Sequence, residues 1–178
     1  KRFEGEVVIV DNLDFVDLAI SEIENESYLG FDTETKPSFK KGKSNNNDVA
    51  LVQLSTSEKA YLFRVNKIGF PKQLVRILAD KNIMKIGVAL KDDLNALKKI
   101  SEFEPGSFLD LQKYVKGFGI ESAGLKKLTA IILEFRISKS HQLSNWETDN
   151  FSNGQIYYAA TDAWVCLEIY KMLRVNQS

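Results

Sequence analysis

The amino-acid sequence predicts an α/β domain with a mixed central sheet flanked by helices on both faces. Strand-like segments cluster early and include a hairpin, so part of the sheet is antiparallel. Beyond about residue 70, short strands alternate with helices, the pattern of parallel crossover units. The 178 residues, 44% of them hydrophobic, suffice for one buried core, and residues 1–178 are expected to form a single domain.

Residues 3–10 alternate and are β-branched enough for a strand. Over residues 12–25, Leu13, Val16, Ala19, Ile20 and Ile23 recur at helical spacing. A central strand follows at Tyr28–Thr35. Residues 36–47 are polar, basic and aperiodic, which predicts a loop. Residues 49–55 and 59–63 are strand-like and separated by Thr56-Ser57-Glu58, a hairpin expected to pair beside the central strand. Pro71 suits the start of a helix running to about Asp80. Residues 83–88 read as a short buried strand, and 89–100 as a helix with Leu90, Leu94 and Leu97 inward. Residues 109–111 suggest one more strand leading into a helix. A helix is expected over 125–135, with Gly124 marking its start. The last helix, 155–173, mixes small and large apolar residues so that it can lie close on a sheet.

Lys plus Arg equals Asp plus Glu at 24 each, so any footprint for a polyanion must be a local patch. The single Cys166 rules out an internal disulfide and, with no signal peptide at the N-terminal residues, predicts an intracellular protein, cytoplasmic if bacterial. No apolar run is long enough to span a bilayer, so no membrane partner is expected. The chain begins without Met and is compatible with a piece of a longer protein.

The chemistry centres on Phe31-Asp32-Thr33-Glu34. Asp32 and Glu34, at i and i+2 on one strand, share a face, and two like charges there call for a cation or protonation. By itself such a pair is more often a solvated rim. Asp92 and Asp93 fall in the first turns of the helix after the strand at 83–88, where a carboxylate is favoured in any case by the helix dipole. Tyr158 and Asp162, at i and i+4, stack on one helical face. Asp162 lies among Ala159, Ala160 and Ala163, in the close-packing part of the helix, where an unpartnered carboxylate is costly.

Four segments occur together and in order: Phe31-Asp32-Thr33-Glu34, Gly87-Val88-Ala89-Leu90-Lys91-Asp92-Asp93, Ser144-Asn145-Trp146 and Tyr158-Ala159-Ala160-Thr161-Asp162-Ala163. In these segments the chain resembles the DEDD 3'-5' exonucleases, in their tyrosine-bearing branch, and most closely the Werner-type and ribonuclease D groups. The Asp-x-Glu motif is weak, whereas Tyr-Ala-Ala-Thr-Asp-Ala is specific. The resemblance covers nearly the whole chain and implies a ribonuclease H-like (DnaQ-like exonuclease) fold. It also implies that Asp32, Glu34, Asp93 and Asp162 hold two divalent cations, and that Tyr158 aims the attacking water. Asp93 is preferred to Asp92 because its distance from Gly87 matches the family. An all-oxygen ligand set suits Mg²⁺ or Mn²⁺.

The expected activity is hydrolysis of phosphodiester bonds from the 3' end of a nucleic acid, single-stranded or recessed, releasing nucleoside 5'-monophosphates. DNA repair and RNA processing are both roles such an activity serves. DNA is favoured over RNA because the helical accessory domains of ribonuclease D do not follow here. Thr33 and Leu90 are candidates to contact the terminal sugar and base, and Lys41, Lys43 and Lys91 to meet phosphates. Solvated lysines and a buried leucine are equally good readings. His141 lies outside the motifs and reads as a surface or loop residue, and Trp146 as a packing anchor. Oligomeric state is not legible. A domain of this fold that binds nucleic acid without catalysis is the alternative. It has no need of five intact site residues, whose crowded carboxylates cost stability. An ordinary nucleotide-binding α/β domain is disfavoured by the lack of a glycine-rich phosphate loop after a strand.

Overall fold

The computed structural model describes residues 1–35 and 48–175. In chain order the elements are β1 (Glu6–Val10), α1 (Asp14–Ile23), β2 (Tyr28–Thr35), β3 (Val49–Ser55), β4 (Lys59–Phe63), α2 (Val65–Ile68), α3 (Lys72–Ala79), β5 (Met84–Gly87), α4 (Leu90–Ile100), β6 (Phe108–Asp110), α5 (Leu111–Tyr114), α6 (Leu125–Ile132) and α7 (Asn153–Val175). The expected basic loop at 36–47, with Lys41 and Lys43, lies outside the described residues.

The strands form one six-stranded sheet in the order β1-β4-β3-β2-β5-β6. Pairing is antiparallel for β2 with β3 and for β3 with β4, and parallel for β1 with β4, β2 with β5 and β5 with β6. The sheet is therefore mixed. The β3–β4 hairpin and the pairing of β3 with β2 supply its antiparallel part, while the connections through α3 and α4 add β5 and β6 in parallel and β1 pairs in parallel at the far edge.

Alternation along β2 divides the two faces. Leu29 and Phe31 enter a core with Val16, Ile20 and Ile23 of α1, Leu74 and Leu78 of α3, and Leu97 of α4. Gly30, Asp32 and Glu34 point the other way, toward α7. Burial of Val165, Cys166, Leu167 and Ile169 anchors α7 to that face.

Gly30 sets how closely α7 can approach. A Cβ at this position would lie 2.0 Å from the carbonyl oxygen of Ala163 and 2.8 Å from its carbon, both backbone atoms of α7. Backbone cannot step aside as a side-chain tip can, so Gly30→Ala forces the helix off the strand. The expected cost is about 3 kcal/mol, at the upper end of overpacking, or a Tm lower by roughly 6–12 °C for a domain of this size. A thermal melt of the variant checks this, and a Tm within about 2 °C of the parent would refute the close-approach argument.

The differences from the sequence expectation are local. β1 begins at Glu6 rather than Phe3, because the Phe3 amide donates to Thr161 Oγ1 (2.9 Å) and its ring is buried beneath Trp164. The helix expected over 125–135 stops at Ile132, and Glu134 then takes a positive φ of 58°. α2 is a single turn, too short for any periodicity to reveal. Lys85, on β5, is fully buried. Its ammonium donates to the carbonyls of Ile77 (3.0 Å), Asp80 (2.6 Å) and Ile83 (2.6 Å), tying the end of α3 to the strand that leads into α4. Among the described residues no helix is long and apolar enough to cross a membrane.

Candidate active site

Three elements converge at the carboxyl end of β2. Asp32 and Glu34 project from its α7-facing side, and Asp162 comes from the middle of α7, with one carboxylate oxygen of each within 4.8 Å of the others. Asp162 is 6% exposed, and Asp32 and Glu34 are half-buried. They form the floor of a cleft of about 450 Å³ whose opposite wall carries Lys126, Lys127 and Lys139.

Asp93 enters from the other side of the sheet. Thr33 points away from α7, and its hydroxyl donates to Asp93 Oδ1 on α4. Asp93 therefore stands outside the tight cluster of three, yet close enough that its charge raises the pKa of Asp32 and of Glu34. Asp92, its neighbour, is exposed.

Burial and mutual repulsion push these carboxyls upward together. Asp32 rises well above the carboxylate range, first through burial and then through Asp162 and Asp93. Glu34 is pushed up to about 10 by burial, Asp32, Asp162 and Asp93, with Lys126 opposing. Asp162 reaches about 7 through burial, restrained by its hydrogen bond with Tyr158 and by Lys126. Burial also raises Asp93, against the Thr33 hydrogen bond.

A packed cluster of acids with raised pKa values is destabilised by its own charge, and a divalent cation relieves it. The donor set is all carboxylate oxygen, which fits a hard cation. Directly opposite Asp32 in the β2–β3 register is Gln53, fully buried on the same face, and neither polar atom of its amide has a protein hydrogen-bond partner. Buried polar groups normally have partners. The polar density around Asp32 thus exceeds what the protein itself satisfies, which also fits a site that takes up an ion.

Tyr158, one turn before Asp162 on α7, is hydrogen-bonded to it, and burial followed by the charges of Asp162 and Glu34 raises the phenol's pKa. The phenol is therefore protonated at any physiological pH and acts as a donor. Three side chains surround its ring. Trp146, fully buried, packs at 6.0 Å between centroids, His141 meets it edge-on at 6.2 Å, and the Lys126 ammonium lies 5.7 Å from the ring centroid.

Trp146 is the packing anchor expected from the sequence. His141 differs from expectation: it does lie in a loop, but half-buried against Tyr158, with Nδ1 3.1 Å from Ser144 Oγ. No local pattern marks this, and the later part of the same loop is pinned by Arg64. That guanidinium stacks on Phe151 at 4.1 Å and donates to the carbonyls of Thr148 and Asp149.

Other candidates are placed less centrally. Leu90 is 4% exposed and packs in the core, and Lys91 is exposed on α4. Two residues that carry no motif also belong to the site's surroundings, Lys126 in the cleft wall and Asp110. The Asp110 carboxylate caps α5 and also accepts from the amides of Ala89 (3.1 Å) and Leu90 (3.3 Å), fastening the start of α4 and so the position of Asp93. An aspartate just before a helix was the available signal for it.

A family model described as 3'-5' exonuclease matches residues 7–176. The chain is 35% identical over 151 residues to the mouse bifunctional 3'-5' exonuclease/ATP-dependent helicase WRN, covering 82% of this chain and 11% of that protein. It spans 25% of the Aquifex aeolicus DNA polymerase I, to which it is 29% identical over 157 residues. Among solved structures, the Aedes aegypti Nibbler EXO domain superposes with a TM-score of 0.85 at 26% identity, covering 99% of this chain and 94% of that one. Escherichia coli RNase D, at 22% identity and a TM-score of 0.85 over 96% of this chain and 44% of that one, shares the fold.

Proposed function

The chain belongs to the 3'-5' exonuclease family and has its ribonuclease H-like fold, and on that premise we propose that it removes nucleotides from the 3' end of a nucleic acid strand as a member of the tyrosine-bearing DEDD branch. The single observation that carries this reading is the meeting of Asp32, Glu34 and Asp162 within 4.8 Å beside a protonated Tyr158. Residues 1–178 act as one domain in this proposal.

Asp32, Glu34, Asp162 and Asp93 would hold two divalent cations, Mg²⁺ or Mn²⁺, which when bound neutralise the phosphodiester and polarise the attacking water. The remaining work falls to the chain. Asp32 and Glu34 stay ionised once their repulsion is relieved, and the Thr33 hydroxyl holds the Asp93 carboxylate in one orientation. The Tyr158 phenol donates a hydrogen bond that orients the water in line with the bond to be broken. Water oxygen adds to phosphorus, the bond from phosphorus to the 3' oxygen of the preceding nucleotide breaks, and that oxygen takes a proton. The products are a nucleoside 5'-monophosphate and a strand one unit shorter. Thr33 and Leu90 remain proposed neighbours of the terminal sugar and base, and Lys41, Lys43 and Lys91 of phosphates.

Tyr158→Phe separates orientation from base catalysis. Because the phenol stays protonated, the variant is expected to lose about 10² in kcat, at the low end for a positioned proton-handling group, with no change in the shape of the pH–rate profile. A parent rate that rises with pH, and a variant that has lost that rise, would instead make Tyr158 a base.

DNA is favoured as substrate on the similarity to a DNA polymerase I, whereas the RNase D likeness at 22% identity extends to fold alone. The deciding experiment is a time course on 5'-labelled single-stranded and recessed-end DNA and RNA oligonucleotides with Mn²⁺, Mg²⁺ or EDTA. A metal-dependent ladder shortening from the 3' end supports the proposal, and relative rates assign the sugar. Bound but undegraded oligonucleotides in every condition would replace it with a non-catalytic binding domain.

A further inference from the structure

The cleft is electrically divided. Its floor is the carboxylate cluster, and its wall, built by the first turn of α6 and the loop after it, carries Lys126, Lys127, Lys139 and Gln142. In a chain with 24 basic and 24 acidic residues, this local concentration of cations is set by the fold rather than by composition.

Lys126 is the member of that wall nearest the reacting groups. It is half-buried, its ammonium lies 5.7 Å from the Tyr158 ring centroid, and Asp162 and Glu34 both feel its charge. Among the described residues it forms no ion pair with either acid at contact distance. It is held near them without being spent on them, a position of use when the negative charge of the site changes place. Once cations neutralise the floor, attraction between Lys126 and the acids falls, and the strongest anion in the cleft becomes the substrate phosphate.

Resting on the exonuclease reading above, we propose that Lys126 is a further catalytic residue, whose ammonium takes a non-bridging oxygen of the terminal phosphodiester. That oxygen shares the charge that develops as water adds to phosphorus, so a fixed cation beside it favours the transition state over the ground state. Lys126 is a compact point charge, and its place over the Tyr158 ring, 5.7 Å from the centroid, restrains it beside the acids.

The proposal separates charge on the substrate from charge on the acids. Removing Lys126 deprives the phosphate of a partner, yet also removes a cation that competes with metal for the carboxylates. Lys126→Ala is therefore expected to lower kcat by about 10²-fold while Mn²⁺ binds as tightly or a few-fold more tightly in calorimetry. Lys126→Arg, which keeps the charge, should recover most of the rate. Fluorescence anisotropy of a single-stranded oligonucleotide, measured against salt, should show weaker binding and a log K versus log salt slope smaller by about 1.

A kcat within about 3-fold of the parent, less than a single well-placed donor supplies, overturns the proposal. So does a loss of Mn²⁺ affinity parallel to the loss of rate, since that marks a merely structural role. If the parent itself degrades no substrate, the exonuclease reading fails separately. In that case, unchanged oligonucleotide affinity and slope in Lys126→Ala overturn the phosphate contact on their own.

Discussion

Asp32→Asn is expected to abolish nucleotide release, with kcat reduced by at least about 10³-fold, while the metal-free protein becomes more stable. Both effects have one cause. Asp32 lies between the acids of α7 and of α4, and burial together with Asp162 and Asp93 raises its pKa well above the carboxylate range. An ionised carboxylate there is unfavourable until a cation compensates it. The amide is nearly the same shape, carries no charge and relieves the repulsion on Glu34, for which Asp32 is the largest charged contributor. It is also a poor ligand for a hard cation, so charge neutralisation of the phosphodiester is lost, a larger loss than that of one hydrogen-bond donor, typically about 10²–10³. The 3'-shortening ladder would disappear, circular dichroism would report an intact fold, and the Tm in EDTA would rise by roughly 2–4 °C for each kcal/mol of relieved repulsion. Asp92→Asn is the matched control. Its carboxylate is exposed, whereas Asp93 accepts from Thr33, so the control should retain activity within about 2-fold, as surface changes usually do. Full activity in Asp32→Asn, or a control as inactive as the variant, would remove these acids from the reaction.

The second large effect is on stability against pH, and its sign depends on metal. Asp162 is raised from 3.8 to about 7 and Glu34 from 4.5 to about 10. A carboxyl whose pKa is higher in the folded state binds more protons there than in the unfolded chain. Stability therefore falls as pH rises between the two values. The contribution is fully present below about pH 4, is lost from Asp162 as pH passes about 7, and continues to be lost from Glu34 toward about 10. Glu22 has the opposite sign: its hydrogen bonds to Tyr61 and Lys59 lower its pKa, so it loses stability in acid. Melts between about pH 5.5 and pH 8 avoid that region, since an unperturbed Glu titrates near 4.3. In EDTA the Tm should decline across this window by roughly 5 °C or more. Saturating Mn²⁺ should reverse the trend, because only the ionised carboxylates bind it. At about 100 times the dissociation constant it adds about 2.7 kcal/mol, or roughly 5–11 °C. A Tm in EDTA that climbs with pH over the same window would contradict the raised pKa values. A Tm indifferent to Mn²⁺ at pH 8 would contradict the cation site.

Much of this was readable from the residues alone because it depends on short-range pattern. The period of two along Tyr28–Thr35 places Asp32 and Glu34 on one face, and the i, i+4 spacing stacks Tyr158 over Asp162. The hairpin of β3 and β4 follows from its turn residues, so the mixed sheet was legible too. The embedding of Asp162 among small residues called for a partner, and in the fold its carboxylate, 6% exposed, takes a hydrogen bond from Tyr158. Four-residue α2 and the early end of α6 were not legible, because single turns and positive-φ stops leave too few residues to set a period.

Tertiary structure alone decided what surrounds those residues. Asp93 rather than Asp92 meets Thr33, the choice that the distance from Gly87 implied through the family resemblance, and the contact itself is made by the way α4 enters after Ala89 and the cap from Asp110. His141 and Trp146 reach the Tyr158 ring through the path of the loop before α7, which Arg64 pins at Thr148, Asp149 and Phe151, and Gln155 at Asn145. Lys126 faces the acids because α6 packs on α7 across the mouth of β2. A strand or helix pattern depends on neighbours within one or two turns, whereas these placements depend on the distance and angle between whole elements. The sequence by itself therefore determined which groups are proposed to carry the chemistry, and the packed fold determined which charges they face.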